Sequence, residues 1–190
     1  MEGKYTEEAV FDRENFTIQS LPKGEYERCT FKSCDFSDSD LKDLKFSECE
    51  FENCNLSMAR LMNTAFLDIK FNNCKMLGMH FDDCNQIGLT VNFENCNLSN
   101  SIFYKTKLKK TVFRNSKLLE ADFTECNLGG SVFDNCDLSG ATFANTLIEK
   151  ADLSTSFNYS IDPERNMIKK AKFSSSGIAG LLDRYDIEIV

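Results

Sequence analysis

Large apolar residues recur at every fifth position along most of this chain, and polar residues fill most of the positions between them. Up to residue 81 the repeated positions are Phe11, Phe16, Leu21, Tyr26, Phe31, Phe36, Leu41, Phe46, Phe51, Leu56, Leu61, Phe66, Phe71, Met76 and Phe81. After a slip of two residues the spacing resumes with Phe93, Leu98, Phe103, Leu108, Phe113, Leu118, Phe123, Leu128, Phe133, Leu138, Phe143, Ile148 and Leu153. Fifteen of the 17 Phe occupy these positions, so the repeat is not a chance periodicity.

A small side chain usually stands two residues before each large one, and all nine cysteines fall in that register, although at the slip Cys84 precedes Gln86. A period of five fits neither an α-helix nor a flat strand, but residues two apart on an extended segment share a face. The pattern therefore predicts that each unit forms one short extended side followed by a turn, with its small and its large residue pointing inward. Four such sides close a coil of about 20 residues, stacked on the next coil at the ~4.8 Å spacing of hydrogen-bonded strands.

Several units begin with Ala or Cys, continue with Asp or Asn, and have Leu or Phe in third place; examples are CDFSD, CNLSM, ADFTE, CNLGG, CDLSG and ADLST. The pattern resembles that of the pentapeptide-repeat family, whose unit reads A-(D/N)-L-x-x, and the resemblance covers roughly residues 9 to 155. It implies an all-β fold, a right-handed quadrilateral β-helix of about seven coils with a small C-terminal helical cap. We therefore predict a β-helix over 1–155 with a slip or bulge at 85–92, and a cap and dimerisation segment over 156–190.

Stacking at 20 residues predicts which side chains become neighbours. One inward column is aromatic, and Asn recurs in the outward column at Asn53, Asn73, Asn95, Asn115 and Asn135, where its side chain suits turn conformations at corners. Opposite charges also fall 20 residues apart, in the pairs Lys32 and Glu52, Glu50 and Lys70, Asp40 and Arg60, Lys105 and Glu125, Arg114 and Asp134, and Lys117 and Asp137. The basic run from Lys105 to Lys117 is accordingly interpreted as a partly neutralised face.

The repeat is interrupted twice. At the slip, the candidate recognition loop consists of Asn85, Gln86, Ile87, Gly88, Leu89 and Thr90, although an accommodated insertion explains it equally. After Leu153, Asp162-Pro163-Glu164 predicts a helix start, MIKKAKF a short extended segment, SSSGIAGLLDRYD a helix and IEIV a strand. The candidate dimer contacts in this tail are Ile178, Leu181, Leu182, Tyr185, Ile187 and Ile189.

The composition is acidic, with a net charge of −8, and the acid is uneven along the chain. Residues 1–90 carry 17 acidic against 10 basic residues, net −7, whereas residues 91–190 carry 13 against 12, net −1. The candidate acidic interaction face consists of Asp35, Asp38, Asp40, Asp43, Glu48, Glu50, Glu52 and Asp68. An acidic surface argues against direct nucleic-acid binding, which relies on Lys and Arg. The acidic N-terminus and the lack of a long apolar run favour a cytoplasmic protein without a membrane span.

Catalytic chemistry finds little support in the sequence. His80 is the only histidine and takes an outward position, and no nucleophile-elbow or phosphate-binding glycine motif occurs. The cysteines could be metal ligands, disulfide partners or packing residues. One column contains Cys34, Cys54, Cys74, Cys96 and Cys136, interrupted by Ser116. A straight column cannot surround a tetrahedral zinc ion, so we predict packing, no cofactor, no metal and no enzyme activity.

Within the family, the length and the tail resemble the group formed by the Qnr, MfpA and McbG proteins, and the tail is most like the McbG type. That resemblance implies a dimeric rod that mimics duplex DNA and binds a type II topoisomerase, DNA gyrase or topoisomerase IV, modulating it or protecting it from quinolones or microcin-like toxins. The Qnr proteins carry longer loops, whereas this chain has only the slip. The alternative is a generic protein interaction scaffold with no topoisomerase role.

Overall fold

The computed structural model describes residues 3–188 and consists of a continuous coil of short parallel strands. One sheet contains β1 (Lys4–Glu7), β3 (Gly24–Glu27), β5 (Lys45–Ser47) and β7 (Ala65–Leu67), in that order. The second sheet contains β2 (Val10–Asp12), β4 (Thr30–Lys32), β6 (Glu50–Glu52), β8 (Ile69–Asn72), β9 (Val91–Glu94), β10 (Val112–Arg114), β11 (Val132–Asp134), β12 (Asp152–Leu153) and β13 (Lys172–Phe173).

The predicted fold class is confirmed, because the chain forms a β-solenoid of about 8 turns. Four columns of buried residues define four sides, which we call faces 1 to 4, and the segment that one turn contributes to a face is a rung. Face 1 begins with Phe11 and carries the nine-stranded sheet, face 2 begins with Phe16, face 3 with Leu21, and face 4 carries the four-stranded sheet and Tyr26. Strand partners lie 20 residues apart, as Phe31 and Phe51 do.

Most corners between faces have left-handed backbone, which recurs at intervals of five residues. The predicted Asn column lies at one corner, where Asn53 and Asn73 have φ of 54° and 55°. Bulkier residues adopt the same conformation elsewhere, including Lys110 with φ of 61°. Non-glycine residues rarely enter this region, so the stacked hydrogen bonds on both sides of each corner must hold these residues in place.

The slip changes the register of the ladder by two residues. Phe71 pairs with Phe93 at a separation of 22, whereas Phe93 pairs with Phe113 at 20 again. The backbone N–H of Asn85 still follows the 20-residue register by donating to Thr64, so the two extra residues lie between Asn85 and Val91 on face 4. The predicted slip at 85–92 therefore appears as a bulge on one side of one turn.

The coil continues past the predicted end of the repeat. Asp152 and Leu153 pair with Lys172 and Phe173, and this extra turn raises the count above the predicted seven. The five-residue spacing was hard to see here because two of its positions hold Asn158 and Pro163 instead of large apolar residues.

The predicted helices of the tail are wrong, because the described part of the chain contains no α-helix. The segment after Asp162 is a turn, in which Asp162 Oδ1 accepts the N–H of Glu164 at 2.9 Å. Only two short 3-10 helices occur in the tail, Ile178–Leu181 and Asp183–Tyr185. Asp and Pro suit the start of a turn as well as that of a helix, and the following residues return to the strand ladder. The end of the predicted IEIV strand lies outside the described residues, and Ile187 and Glu188 are not in a strand.

Candidate protein-binding surface

All nine cysteines are buried and unpaired, as inward packing residues would be. Seven of the thiols donate to a backbone carbonyl on the preceding turn, for example Cys54 Sγ to Phe31 O at 3.3 Å. Burial raises the pKa of Cys49 and of Cys136 to about 12. Because the thiolate is the reactive form, burial makes Cys49 and Cys136 poor nucleophiles where they lie.

The eight predicted carboxylates do not lie on one face. Four of them occupy positions on the sides and are half-buried: Glu50 and Glu52 on face 1, Asp35 on face 2 and Asp40 on face 3. The other four are exposed at corners with left-handed backbone: Asp38 between faces 2 and 3, Asp43 between faces 3 and 4, and Glu48 and Asp68 between faces 4 and 1. The coil therefore distributes these charges around the rod, since residues five apart turn through a right angle.

Five of the eight carboxylates already bind neighbouring groups of the chain. Asp35 Oδ1 accepts Ser37 N and Oγ at 3.0 and 2.7 Å, and Asp40 Oδ1 accepts Lys42 N at 3.0 Å. In the same way, Asp43 bonds to Asn63, Glu50 to Asn72 and Glu52 to Lys32. Within residues 3–188, Asp38, Glu48 and Asp68 have no side-chain hydrogen bond or ion pair, and Glu48 and Asp68 are stacked on one corner. These three have the carboxylates most available to a partner.

Three of the six predicted charge pairs form ion pairs in the structure. Lys32 and Glu52, Lys105 and Glu125, and Arg114 and Asp134 form ion pairs at 3.3, 3.5 and 3.1 Å. The other three pairs are neighbours on successive turns without a contact below 4.0 Å. Their carboxylates bind amides or hydroxyls instead, and Asp40 also pairs with Lys23 at 3.9 Å. Exposed pairs of this kind contribute about 0–1 kcal/mol each, so neither outcome changes the fold.

The candidate loop projects from face 4 and is held by its own polar groups. Asn85 Oδ1 accepts the N–H of Ile87 at 3.0 Å, and Gln86 Nε2 donates to the carbonyls of Phe81 and Cys84, both at 3.1 Å. Leu89 is buried, Thr90 begins the return to the ladder, and Ile87 is 89 % exposed at the tip. The insertion is therefore both accommodated by the coil and a small projecting apolar feature.

The tail folds back on the end of the coil. Arg184 Nη1 donates to both carboxylate oxygens of Asp162 at 2.7 Å, and Tyr185 Oη donates to Glu164 Oε1 at 2.8 Å. Among the candidate dimer contacts, Leu181 and Leu182 are half-buried, and Leu181 packs against the core. Ile178, Tyr185 and Ile187 are exposed, whereas Ile189 lies outside the described residues. Their role in dimerisation stays a prediction.

The single histidine, His80, has one acidic neighbour within 4.0 Å in the described range. His80 is half exposed and its Nδ1 lies 3.4 Å from Asp82 Oδ1. Among residues 3–188, no cluster of three or more His, Cys, Asp or Glu side chains is placed to hold a metal ion. No helix in the same range has the length and apolar character to cross a membrane.

One charged feature was missed by the sequence reasoning. Lysines line a shallow groove at the corner between faces 4 and 1, around the floor formed by Gly129 and Gly130; they are Lys109, Lys110, Lys150, Lys169 and Lys170. None of these lysines has a carboxylate within 4.0 Å in the described range. The signal was available at a spacing of 20, because Lys110, Lys150 and Lys170 belong to one column and Gly130 leaves the gap between them.

The fold defines the class as a β-solenoid protein with a closed, packed interior. A family model described as a pentapeptide repeat region matches residues 25–90 and 89–158, more than half of the chain. The chain therefore belongs to the pentapeptide-repeat family. No curated protein sequence matches it.

Two solved structures share the architecture. A trypsin-treated variant of QnrB1, a plasmid-mediated fluoroquinolone resistance protein, is 24 % identical with a TM-score of 0.64, over 100 % of this chain and 92 % of that one. HetL, a pentapeptide-repeat protein involved in heterocyst differentiation regulation in the cyanobacterium Nostoc, is 14 % identical with a TM-score of 0.54, over 92 % of this chain and 86 % of that one. At these identities the likeness shows the fold.

Proposed function

We propose that this protein is a non-enzymatic binding protein that occupies the DNA-binding surface of a type II topoisomerase, DNA gyrase or topoisomerase IV. It would act there as a rod-shaped mimic of duplex DNA, and would modulate the enzyme or protect it from quinolones or microcin-like toxins. The observation that supports the proposal most is a group of three exposed corner carboxylates, Asp38, Glu48 and Asp68, that have no side-chain partner within residues 3–188, on a rod of the same architecture as QnrB1.

The length and the net charge of the rod limit how closely it can mimic duplex DNA. Nine stacked strands on face 1 give a rod about 38 Å long at ~4.8 Å per strand. Duplex DNA of that length carries on the order of 20 phosphate charges, at one per ~1.7 Å, whereas the chain has a net charge of −8. The attraction must therefore rest on shape and on a few carboxylates, which orient the rod on a basic groove and speed its association.

The alternative function is a generic scaffold for protein interactions. The intermixing of acids with Lys and Arg favours it, since half of the predicted pairs are neutralised within the rod. A scaffold of this kind would bind a partner without a DNA-binding groove and would leave topoisomerase activity unchanged.

The proposal is tested by DNA gyrase supercoiling with and without the protein and a fluoroquinolone. We expect the protein to inhibit supercoiling or to protect it from the drug, and the double variant Glu48→Gln/Asp68→Asn to be weaker, by about tenfold. The matched control is Asp35→Asn, because the Asp35 carboxylate is already bound to Ser37. No inhibition, no protection and no binding at micromolar protein would contradict the proposal.

A further inference from the structure

Face 4 carries acid on its N-terminal half and lysine on its C-terminal half. It contains nine rungs, and the outward and corner residues of rungs 1 to 4 lie within 5–8, 25–28, 45–48 and 65–68. These residues include six acidic and two basic side chains, net −4. Rungs 6 to 9, within 107–110, 127–130, 147–150 and 167–170, include six lysines and one glutamate, net +5.

The candidate loop forms rung 5, in the middle of this face. Its tip residue Ile87 is 89 % exposed, and Leu67 beside it is 45 % exposed and lies below Gly88. The loop is fixed by the side chains of Asn85 and Gln86. Protein interfaces commonly have an apolar centre and a polar rim. Face 4 has this arrangement, with the exposed Ile87 at its centre and a charged half on each side.

We propose that face 4 binds a second copy of this chain in antiparallel orientation, around a two-fold axis that passes through rung 5. Such an axis places rung 1 opposite rung 9 and rung 4 opposite rung 6, and it preserves the position of each residue across the width of the face. Asp68 then faces the partner's Lys110, since both occupy the corner between faces 4 and 1. Glu8, whose Oε1 already lies 3.3 Å from Arg28 Nε of its own chain, faces the partner's Lys170 for the same reason.

The arrangement is isologous, so every favourable contact occurs twice. Neither Asp68 nor Lys110 has an ion-pair partner in the described part of its own chain, and the opposite chain provides one for both. The two copies of Ile87 lie beside the axis, where apolar burial contributes most. Parallel stacking of the same faces would instead place acid on acid and lysine on lysine.

A second copy of the chain accounts for the acidic rungs, the lysines and Ile87 of face 4, whereas a polyanionic ligand accounts only for the lysines. A nucleic acid or polyphosphate chain could contact the lysines, but the acidic rungs would repel it and Ile87 would have no role. The flat strip is about 38 Å long and ~10 Å wide, which is below the ~800 Å² per partner of standard interfaces. We therefore expect micromolar, salt-sensitive association. Face 4 and its corner with face 1 are covered in this dimer, so Glu48 and Asp68 are open to a topoisomerase only in the monomer.

A charge-exchange experiment on the full chain tests this pairing. Sedimentation velocity would be measured for the wild type, for Asp68→Lys, for Lys110→Glu and for an equimolar mixture of the two variants, at low and at high salt. We expect each variant alone to dimerise about tenfold more weakly, because its dimer contains two like-charge contacts. In the mixture both contacts are complementary again, so the heterodimer should return to within about threefold of the wild type. High salt should weaken the wild-type dimer.

The two controls change the net charge by the same amounts as the two test variants, and the Asp38 control also matches the left-handed backbone of Asp68. Asp38→Lys changes an unpaired left-handed corner residue on the other side of the rod, and Lys75→Glu changes a lysine of face 2; both should dimerise like the wild type. Circular dichroism of each variant establishes that it is folded. A wild type that stays monomeric at about 100 µM in low salt, a dimer indifferent to all four substitutions, or a monomer that binds a 20-base-pair duplex through Lys110 would each overturn the pairing.

Discussion

The phenyl rings of Phe103 and Phe123 lie nearly parallel, with their centroids 4.9 Å apart and their planes 3° from each other. Both rings also meet Phe113 at its edge, with centroids 6.2 Å apart. Face-to-face contacts therefore run along the rod, while edge contacts join neighbouring faces across it. The two geometries are those that aromatic quadrupoles favour, and they make each ring a contact between successive turns.

Truncation of one ring should destabilise the rod strongly. Phe123→Ala is expected to lower the free energy of unfolding by about 3–5 kcal/mol, the cost of a large cavity in a packed core. Phe123→Leu is the matched control, because leucine fills equivalent positions in this chain, and we expect a loss below ~1.5 kcal/mol. Urea unfolding measures both, and equal losses for the two variants would show that ring stacking and cavity volume do not determine the stability.

The pair formed by Asp152 and Lys172 links β12 to the last strand, with Lys172 Nζ 2.8 Å from Asp152 Oδ2. The lysine hydrogen bond, with help from Ser154, lowers the pKa of Asp152 from 3.8 to about 2. Because the pKa is lower in the folded state, the pair adds stability above about pH 4, and this stability is lost as the pH falls towards 2. Asp152→Asn should therefore cost at most about 1 kcal/mol near neutral pH, since the Lys172 side chain is exposed and solvent screens the pair.

The comparison of wild type and Asp152→Asn by urea unfolding at several pH values checks this dependence. The difference in stability should shrink between pH 4 and pH 2 and also at high salt. A difference that is constant over this range would mean that the carboxylate stabilises the fold in some way other than its charge.

Gly24 permits the first turn to stack on the second. A Cβ atom built on Gly24 would lie 1.9 Å from the carbonyl oxygen of Lys4, a backbone atom that cannot move without breaking the pairing of β1 with β3. Gly24→Ala should therefore detach β1, with faster hydrogen exchange at Thr6. Gly130→Ala is the control, because its φ of 70° also strains an alanine while its nearest contact is the flexible Lys110 side chain at 3.8 Å, so the variant has the strain without a backbone clash. Unchanged protection of β1 in Gly24→Ala would refute this account of the first turn.

The thiols should be silent in the folded protein. Since all nine are buried and burial raises the pKa of Cys126 and Cys136 to about 12, we expect no reaction with Ellman's reagent under native conditions. In denaturant all nine should react at once. Stoichiometric zinc binding or fast labelling of the native protein would show that the cysteines are more than packing residues.

The sequence predicted the coil because its inward residues repeat every five positions from Phe11 to Phe81 and again from Phe93 to Leu153. The position of Phe51 alone implies Phe31 and Phe71 as neighbours, and the strand ladder confirms both. The end of the coil was harder to predict, since Asn158 and Pro163 interrupt the apolar repeat although hydrogen bonding continues. Helices were expected where Asp162 begins a turn, because local signals for turns and helix starts are the same.

The binding surface was less predictable than the core. The list of eight carboxylates was drawn from charge along the chain, whereas availability depends on the neighbours that each one finds on the next turn. Asp35 is satisfied by Ser37, and Glu50 by Asn72, but Glu48 is not satisfied in the described structure. The lysine groove escaped notice because its members are distant in sequence and only stacking brings Lys110 and Lys150 to one corner.

Competition with DNA tests the proposed mimicry most directly. A fluorescent duplex would be bound to purified DNA gyrase, and its anisotropy followed as the protein is added, with Glu48→Gln/Asp68→Asn as the weakened variant and Asp35→Asn as its control. If the rod occupies the DNA-binding surface, the wild type should displace the duplex, the variant should need about ten times more protein, and Asp35→Asn should behave like the wild type. A complex of gyrase with both the duplex and the protein, or no complex with the protein at all, would contradict the account.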